Sequence, residues 1–225
     1  MSKIYLPSQN PNEWAQLLAE PDKQWKQGYS ARALAHSWQE ADDFPPEVKT
    51  VLLAVPEFSN LELLLALPEH RVPLPGSSRP SQSDIWSLAR AEGNLVSIAV
   101  EGKVSEPFGP TLREWLVGVS PGKLERLKFI YTQLGLIAPP PDGLRYQLFH
   151  RTASAIIEAK RFNATHAIML IHSFSQTDEW FEDYQAFVAI FGGLASVNRI
   201  VSIPFRPEIS LHFAWVRGDA KFLIK

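Results

Sequence analysis

A β-hairpin in the middle of the chain constrains the fold more than any other stretch of the sequence. The segment Asp84–Arg90 is followed by a short turn signal, Ala91-Glu92-Gly93-Asn94, and then by the apolar, β-branched run Leu95–Val100. Such a run is typical of a buried strand, and the turn indicates that the two segments pair antiparallel. The sequence therefore predicts a hairpin with at least one buried arm.

The register of this hairpin brings two carboxylates together. If Arg90 lies opposite Leu95, continuing the pairing places Asp84 opposite Glu101. Opposed residues of an antiparallel pair share a face, with Cα atoms about 4.5–5.5 Å apart, so both carboxylates can reach one cation. Strand alternation places Lys103 on the same face. The spacing thus predicts a metal site with an ammonium group beside it, a chemistry suited to phosphodiester cleavage.

Two alternatives follow from the same residues. In the first, Glu101 and Lys103 form an ordinary surface ion pair at the end of a strand, since an acidic residue two positions before a lysine is a common pattern. The stretch Ser81-Gln-Ser-Asp84 also fits a capping box that would begin a helix from Asp84 to Arg90. Such a helix would remove the register argument for Asp84 but leave the spacing of Glu101 and Lys103 intact.

Three segments together resemble the PD-(D/E)XK, or restriction-endonuclease-like, nuclease superfamily: Ser81-Gln-Ser-Asp84, Val100-Glu-Gly-Lys103 and Val104-Ser-Glu-Pro-Phe-Gly109. The resemblance covers residues 60–175 and is to a family of little-characterised bacterial proteins within that group. It implies that Asp84 and Glu101 bind Mg²⁺, with Mn²⁺ as a possible substitute, and that Lys103 is the catalytic lysine. Ser83 stands where the motif has its proline.

A basic helix is predicted after the hairpin, from Leu144 to Phe162. It carries Arg145, Gln147, His150, Arg151, Lys160 and Arg161, with Glu158 as its only acid. Gln147 and Arg151 are four residues apart and therefore adjacent on one face, where they can contact a phosphate or the attacking water. In the superfamily that the chain resembles, a helix after the lysine strand often supplies such residues. The alternative is a solvent-exposed polar face.

The remaining sequence predicts a mixed α/β fold. Helices are expected from Asn10 through Leu18, from Ser30 through Trp38, from Asn60 to Leu67, from Pro121 to Leu134 and from Asp178 to Phe191. Strands are expected at Ala167–Ile171 and Ile209–Trp215, the second at an edge of the sheet. The order predicts a restriction-endonuclease-like mixed central sheet flanked by helices. We expect a single domain over residues 1–225, with a mainly helical extension at 1–58 and a nuclease-like core at 59–225.

A third metal-binding carboxylate is often supplied by an upstream helix in this superfamily. Glu62 and Glu69 are the candidates, although either also fits an ordinary surface position. The six histidines have no zinc-type spacing, and His172-Ser173 lacks the Gly-x-Ser-x-Gly turn of a serine hydrolase. These observations favour a carboxylate-bound cation over zinc or nucleophilic-serine chemistry.

Composition limits the classes of partner. A net charge of −2 and a pI near 6.3 give no global attraction to nucleic acid, so any contact depends on a local basic patch. The absence of cysteine excludes disulfides and thiolate metal sites, and we find neither a signal peptide nor an apolar run able to span a bilayer. We therefore expect a cytoplasmic protein with no membrane partner.

The sequence thus predicts a Mg²⁺-dependent nuclease with Asp84, Glu101 and Lys103 as catalytic residues and with Gln147 and Arg151 contacting the substrate. DNA is favoured over RNA, and a homodimer is compatible with this function. The alternative is a catalytically inactive binding module of the same fold, with a protein or nucleic-acid partner, because fold does not dictate function. Divalent-metal binding without cleavage would favour the module.

Overall fold

Six strands form one mixed sheet in the computed structural model, which describes residues 3–5, 10–41 and 43–225. The strands are β1 (Glu62–Val72), β2 (Ser81–Ala91), β3 (Asn94–Lys103), β4 (His166–Ser173), β5 (Arg199–Arg206) and β6 (Ile209–Arg217). Their order across the sheet is β1-β2-β3-β4-β6-β5. Strand β4 is parallel to both of its neighbours, and the other pairs are antiparallel.

The predicted hairpin is formed by β2 and β3. Arg90 pairs with Leu95, as the sequence predicts. The two residues of the turn, Glu92 and Gly93, have φ angles of 48° and 80°. Positive φ at both central residues is the requirement of a type I′ turn, whose twist matches that of the strands it joins. The alternative of a helix from Asp84 to Arg90 is therefore wrong, because these residues belong to β2.

Seven α-helices lie within the described residues. They are α1 (Pro21–Gln24), α2 (Ser30–Ala41), α3 (Pro46–Leu52), α4 (Leu112–Trp115), α5 (Pro121–Leu134), α6 (Tyr146–Arg161) and α7 (Phe181–Ala189). Three 3-10 helices complete the structure, at Pro11–Leu17, Pro56–Phe58 and Ala220–Ile224. None of these helices is both long enough and apolar enough to cross a membrane.

Helices cover both faces of the sheet. Alternate residues of the central strands enter different apolar clusters, so that Ile98 and Val100 belong to one cluster and Ala99 to the other. The first cluster contains buried residues of α2 and α3, and the second contains those of α5, α6 and α7. The mixed α/β fold expected from the sequence is confirmed. The helices of residues 10–58 are the layer on one face of the sheet.

Two predicted elements are wrong. The helix expected at Asn60–Leu67 is part of strand β1 instead, because pairing with β2 outweighs the helical preference of its leucines. The late strand β6 was expected at an edge, but β5 pairs with its outer side. The sequence analysis missed β5, in which Pro204 interrupts the strand pattern. Proline is tolerated in edge strands, where its missing N–H faces away from the sheet.

Substitution of Trp38 tests whether the N-terminal helices and the sheet share one core. It lies on α2, is fully buried, and its Nε1 donates a hydrogen bond to Nδ1 of His172 on β4 at 3.3 Å. We expect Trp38→Ala to lower the free energy of unfolding by about 3–5 kcal/mol. It should also increase amide hydrogen exchange in β3 and β4, as measured by mass spectrometry.

Leu53→Ala is the control, because Leu53 also belongs to the helical segment of residues 10–58 but is 38% exposed. Unchanged protection of β3 and β4 in Trp38→Ala would contradict a shared core.

Candidate active site

Three carboxylates lie abreast on three adjacent strands. Glu69 is on β1, Asp84 on β2 and Glu101 on β3. Their alignment follows from the residue pairs that flank them, which are Pro68 with Ile85, His70 with Ser83, and Ile85 with Val100. Continuing the β2–β3 register by one residue places Asp84 opposite Glu101, as the sequence predicts.

Glu69 is the third carboxylate, and it comes from a strand rather than from a helix. Its φ angle is 52°, in the left-handed region that non-glycine residues rarely adopt. Its Oε2 accepts a hydrogen bond from Nε2 of Gln82 at 2.6 Å. The other candidate, Glu62, lies near the opposite end of β1 and is paired with Arg90 at 2.7 Å on the exposed surface. Of the two, only Glu69 belongs to the site.

All of the predicted site residues line one cavity of about 480 Å³, here called the carboxylate cavity. Asp84, Glu101, Lys103, Gln147 and Arg151 line it together with Glu69. Residues of the N-terminal segment, including Lys23, Tyr29 and Ser30, form part of its wall. The sequence analysis missed this contribution, because nothing in the sequence of the N-terminal helices indicates which strand ends they cover.

Glu101 is the centre of a buried hydrogen-bond network. Its Oε1 accepts from Nζ of Lys103 at 2.9 Å and from Nε2 of Gln147 at 2.6 Å. Its Oε2 accepts from Nε of Arg151 at 2.6 Å. Because Glu101, Lys103 and Arg151 are all buried, the alternatives of a surface ion pair and of a solvated helix face are wrong for these residues. The network joins β3 to α6.

The other basic residues of α6 do not face this cavity. Arg145 pairs with Asp183 at 2.7 Å, Arg161 pairs with Glu158 at 3.0 Å, and Lys160 donates to Gln133 at 2.6 Å. The helix therefore contributes Gln147 and Arg151 to the site rather than a continuous basic surface.

The carboxylates outnumber the cations that neutralise them. Burial raises the pKa of Asp84 well above its usual value, and the negative charges of Glu101 and Glu69 raise it further. Burial likewise raises the pKa of Glu69 to about 7. Although burial also acts to raise the pKa of Glu101, the charges of Arg151 and Lys103 hold it below its usual value. One carboxylate of the three is thus neutralised by protein groups, and the other two retain protons more strongly than usual.

This donor set is suited to a hard divalent cation. Mg²⁺ and Mn²⁺ prefer carboxylate oxygens, and a bound cation would supply the positive charge that Asp84 and Glu69 lack. In the described part of the chain, no group of three or more His, Cys, Asp or Glu side chains is arranged as a metal site. Both oxygens of Glu101 face Lys103, Gln147 and Arg151 instead. Metal binding by Glu101 would therefore compete with these contacts.

Gly102, between Glu101 and Lys103, occupies a position with little room for a side chain. A Cβ atom at this position would lie 3.3 Å from Cδ2 of Leu34 on α2 and 3.4 Å from Oδ2 of Asp84. The same Oδ2 accepts a hydrogen bond from the Gly102 N–H at 2.7 Å. Glycine thus allows α2 to pack over the strand end and lets a backbone donor orient Asp84.

The family comparison covers both the hairpin and the N-terminal helices. A family described as a domain of unknown function (DUF6946) matches residues 7–220. The chain belongs to this family. All the residues that line the carboxylate cavity lie inside the DUF6946 domain. No curated protein and no solved structure gave a match.

The raised pKa of Glu69 makes the stability of the metal-free protein depend on pH. A carboxyl whose pKa is higher in the folded state stabilises the fold below its unfolded pKa, near 4.5, and loses that contribution as pH rises to about 7. The loss amounts to as much as about 3 kcal/mol at about 1.4 kcal/mol per pKa unit. We expect Glu69→Gln to remove this loss, so that its stability advantage over the wild type grows between pH 5 and 7.

Urea unfolding in EDTA across this pH range measures the difference. Glu62→Gln is the control, because Glu62 is exposed on the same strand. Parallel pH profiles for the wild type and Glu69→Gln would contradict the assignment.

Proposed function

We propose that this protein is a metal-dependent nuclease of the restriction-endonuclease-like type, hydrolysing phosphodiester bonds of nucleic acid. The observation that carries the proposal is the convergence of Glu69, Asp84, Glu101 and Lys103 in one cavity beside Gln147 and Arg151. Two aligned carboxylates followed by a lysine on the same strand end are the arrangement that the motif of this superfamily requires. The mixed sheet flanked by helices is compatible with the same fold.

Glu69, Asp84 and Glu101 are the residues that would hold Mg²⁺ or Mn²⁺. A divalent cation there would supply Lewis-acid stabilisation of the phosphate charge and a lower pKa for the attacking water. Two of these carboxyls have raised pKa values, so cation binding would release protons. The protein contributes a set of oxygen ligands on three adjacent, paired strands.

Lys103 supplies a positive charge at the point where the phosphate would lie. Its Nζ is held by Glu101 at 2.9 Å and lies 5.0 Å from the ring centroid of Phe108. An ammonium has three donors, so Lys103 can keep the contact with Glu101 and still donate to a phosphate oxygen or to the attacking water. Because Lys103 is buried, this charge has a stronger effect than it has at the surface.

Gln147 and Arg151 orient Glu101 and complete the phosphate-binding face of the cavity. Arg151 donates from Nε to Glu101, and its Nη1 lies 3.3 Å from Oγ of Ser81. Its remaining N–H groups can contact a phosphate while the guanidinium stays fixed. The Oε1 of Gln147 makes no hydrogen bond with the described residues, which leaves an acceptor for the attacking water.

Cleavage assays test the nuclease proposal directly. Single-stranded DNA, double-stranded DNA and RNA are incubated with the protein in Mg²⁺, in Mn²⁺ and in EDTA. We expect cleavage that requires metal, favours DNA, and falls by about 100-fold or more in Asp84→Ala and Lys103→Ala, since each change removes a charge that acts on the reacting phosphate.

Glu62→Ala and Lys128→Ala are matched controls, because both residues are charged and exposed outside the cavity. They should cleave like the wild type. Full activity in Lys103→Ala, or no cleavage by the wild type under any of these conditions, would contradict the proposal.

The pairing of Glu101 favours a second candidate function. Both of its oxygens are engaged by protein donors, which is also what a fold that had lost metal chemistry and kept the network for stability would contain. In that case the protein is a binding module for a protein or nucleic-acid partner. Metal binding and cleavage, measured separately, distinguish the two functions.

Thermal unfolding measures metal binding without requiring activity. A cation that binds only the folded state stabilises it by about 2.7 kcal/mol at 100 times its Kd. We expect Mg²⁺ and Mn²⁺ to raise the unfolding midpoint of the wild type but not of Asp84→Asn, whose side chain loses its negative charge. A midpoint that does not respond to either cation would remove the metal from the proposal. A response without cleavage would favour the binding module.

A further inference from the structure

A second cavity, of about 420 Å³, lies beside the first and has a different character. Its lining includes three cationic side chains, Arg79, Lys123 and Arg126, and no acidic residue. The chain as a whole has a net charge of −2, so a cavity whose charged lining residues are all cationic is a local departure from the overall charge. An anion is the ligand that such a cavity favours.

Arg126 is a buried cation that has no carboxylate partner in the described part of the chain. Its residue is only 6% exposed, and its Nη2 donates to the backbone oxygen of Arg79 at 2.5 Å. Its Nε has no hydrogen-bond partner among the described residues. Burying an uncompensated charge is costly, and an anion in the cavity would offset that cost. Arg79 is exposed, and its guanidinium forms no hydrogen bond or ion pair with the described part of the chain.

Lys123 is held so that its charge stays at the cavity. Its Nζ donates to the backbone oxygens of Trp115 at 2.7 Å and Val117 at 2.8 Å, which leaves one of its three N–H groups for a ligand. The residue lies in the first turn of the 14-residue helix α5, where the helix dipole also favours an anion.

The loop before β2 is pressed against the start of α5. A Cβ atom on Gly76 would lie 2.0 Å from the backbone oxygen of Gly122, and the φ angle of Gly76 is 77°. Only glycine permits this approach, which brings Arg79 in the same loop close to Lys123 and Arg126. The three charges therefore come from two elements that the Gly76–Gly122 contact fixes together.

Aromatic rings form another wall. Trp115 stacks on Tyr146 with ring centroids 4.1 Å apart and an interplanar angle of 15°. Both rings line the cavity, which therefore combines a rigid apolar wall with cations. Nucleotides present the same combination, a flat base or a sugar next to a phosphate.

The second cavity adjoins the carboxylate cavity through consecutive residues of α6. Arg151 lines the first cavity and His150 lines the second, and Ser81 contacts both of these residues. Burial, with Arg151 and Arg126 nearby, holds the pKa of His150 well below its usual value, so the ring is neutral. Ser81 Oγ and Arg151 Nη1 lie 2.8 Å and 3.5 Å from Nδ1, and we therefore assign the proton to Nε2, which can donate to an anion.

We propose that this second cavity, formed by Arg79, Lys123, Arg126 and His150, binds a phosphate group of the nucleic-acid strand next to the phosphodiester that is cut. The identity of the ligand as a nucleic-acid phosphate rests on the proposed nuclease function, whereas the affinity of the cavity for phosphate does not. The phosphate belongs either to the strand interior or to a strand end, and the two sources share the same chemistry.

Inorganic phosphate tests the cavity by itself. Isothermal titration at constant ionic strength is performed in EDTA with the wild type, Arg79→Ala and Arg126→Gln. We expect phosphate to bind the wild type, and to bind about tenfold more weakly when either charged donor is removed. Arg199→Ala is the control, because Arg199 is equally exposed but lies on β5 at the far edge of the sheet. Thermal unfolding of Arg126→Gln verifies that the buried substitution has not unfolded the protein.

Oligonucleotide binding in EDTA identifies the source of the phosphate. We expect Arg79→Ala to weaken binding and to reduce the slope of log K against log salt concentration by about 0.7–0.9, the value for one phosphate contact. Arg199→Ala should leave the slope unchanged. If Arg79→Ala weakens the binding only of oligonucleotides that carry a terminal phosphate, the cavity binds a strand end. If it weakens the binding of oligonucleotides that lack a terminal phosphate equally, the cavity binds an internal phosphate.

The two proposals fail in different ways. The phosphate cavity is overturned if Arg79→Ala and Arg126→Gln bind phosphate as tightly as the control Arg199→Ala, and if Arg79→Ala also binds oligonucleotides as tightly as that control. This conclusion holds even where the wild type cleaves DNA. If the wild type cleaves no substrate but its phosphate binding depends on Arg79 and Arg126, the nuclease function is overturned and the anion site remains.

Discussion

The two-residue turn at Glu92 and Gly93 is the constraint on which the candidate site depends. It fixes the pairing of β2 with β3, and a slip of one residue would move every side chain of one strand to the opposite face. Asp84 would then no longer share a face with Glu101. The turn is eight residues away from these carboxylates along each strand, so it sets the site geometry without contacting it. The side chain of Glu92 accepts a hydrogen bond from Ser59, which ties the turn to the chain that leads into β1.

Charge balance is the second constraint. The three carboxylates on adjacent strands share one cavity with two buried cations, and the structure places both cations on Glu101. Removing one partner from a buried ion pair is costly, so Lys103 and Arg151 also stabilise the end of β3. Among the described residues, Asp84 and Glu69 accept hydrogen bonds from neutral donors only, the Gly102 N–H and Gln82. The arrangement keeps two carboxylates short of positive charge, which a cation bound at the proposed site would supply.

Much of the site could be predicted because it depends on local rules. Turn chemistry and strand alternation are enough to bring Asp84, Glu101 and Lys103 to one face, and helical spacing is enough to pair Gln147 with Arg151. Glu69 could not be placed, because the leucine-rich run before it favours a helix and only pairing with β2 makes it a strand. Its left-handed backbone has no signal in the sequence, since glutamate is not a residue that normally adopts it. The sheet edge was missed for a related reason, because Pro204 hides the strand pattern of β5.

The N-terminal helices connect the fold to the proposed chemistry. In the sequence they resemble an appendage, since no motif residue lies in them. In the structure α2 packs on Gly102, and the segment around Lys23 and Tyr29 forms part of the cavity wall. A site at the open end of a sheet would leave its carboxylates in water, where their pKa values would stay near the usual range and a cation would gain little from binding. The N-terminal segment forms part of the wall around these carboxylates, and burial is the largest cause of the raised pKa values of Asp84 and Glu69. The segment without motif residues therefore helps to enclose the cavity on which the proposed chemistry depends.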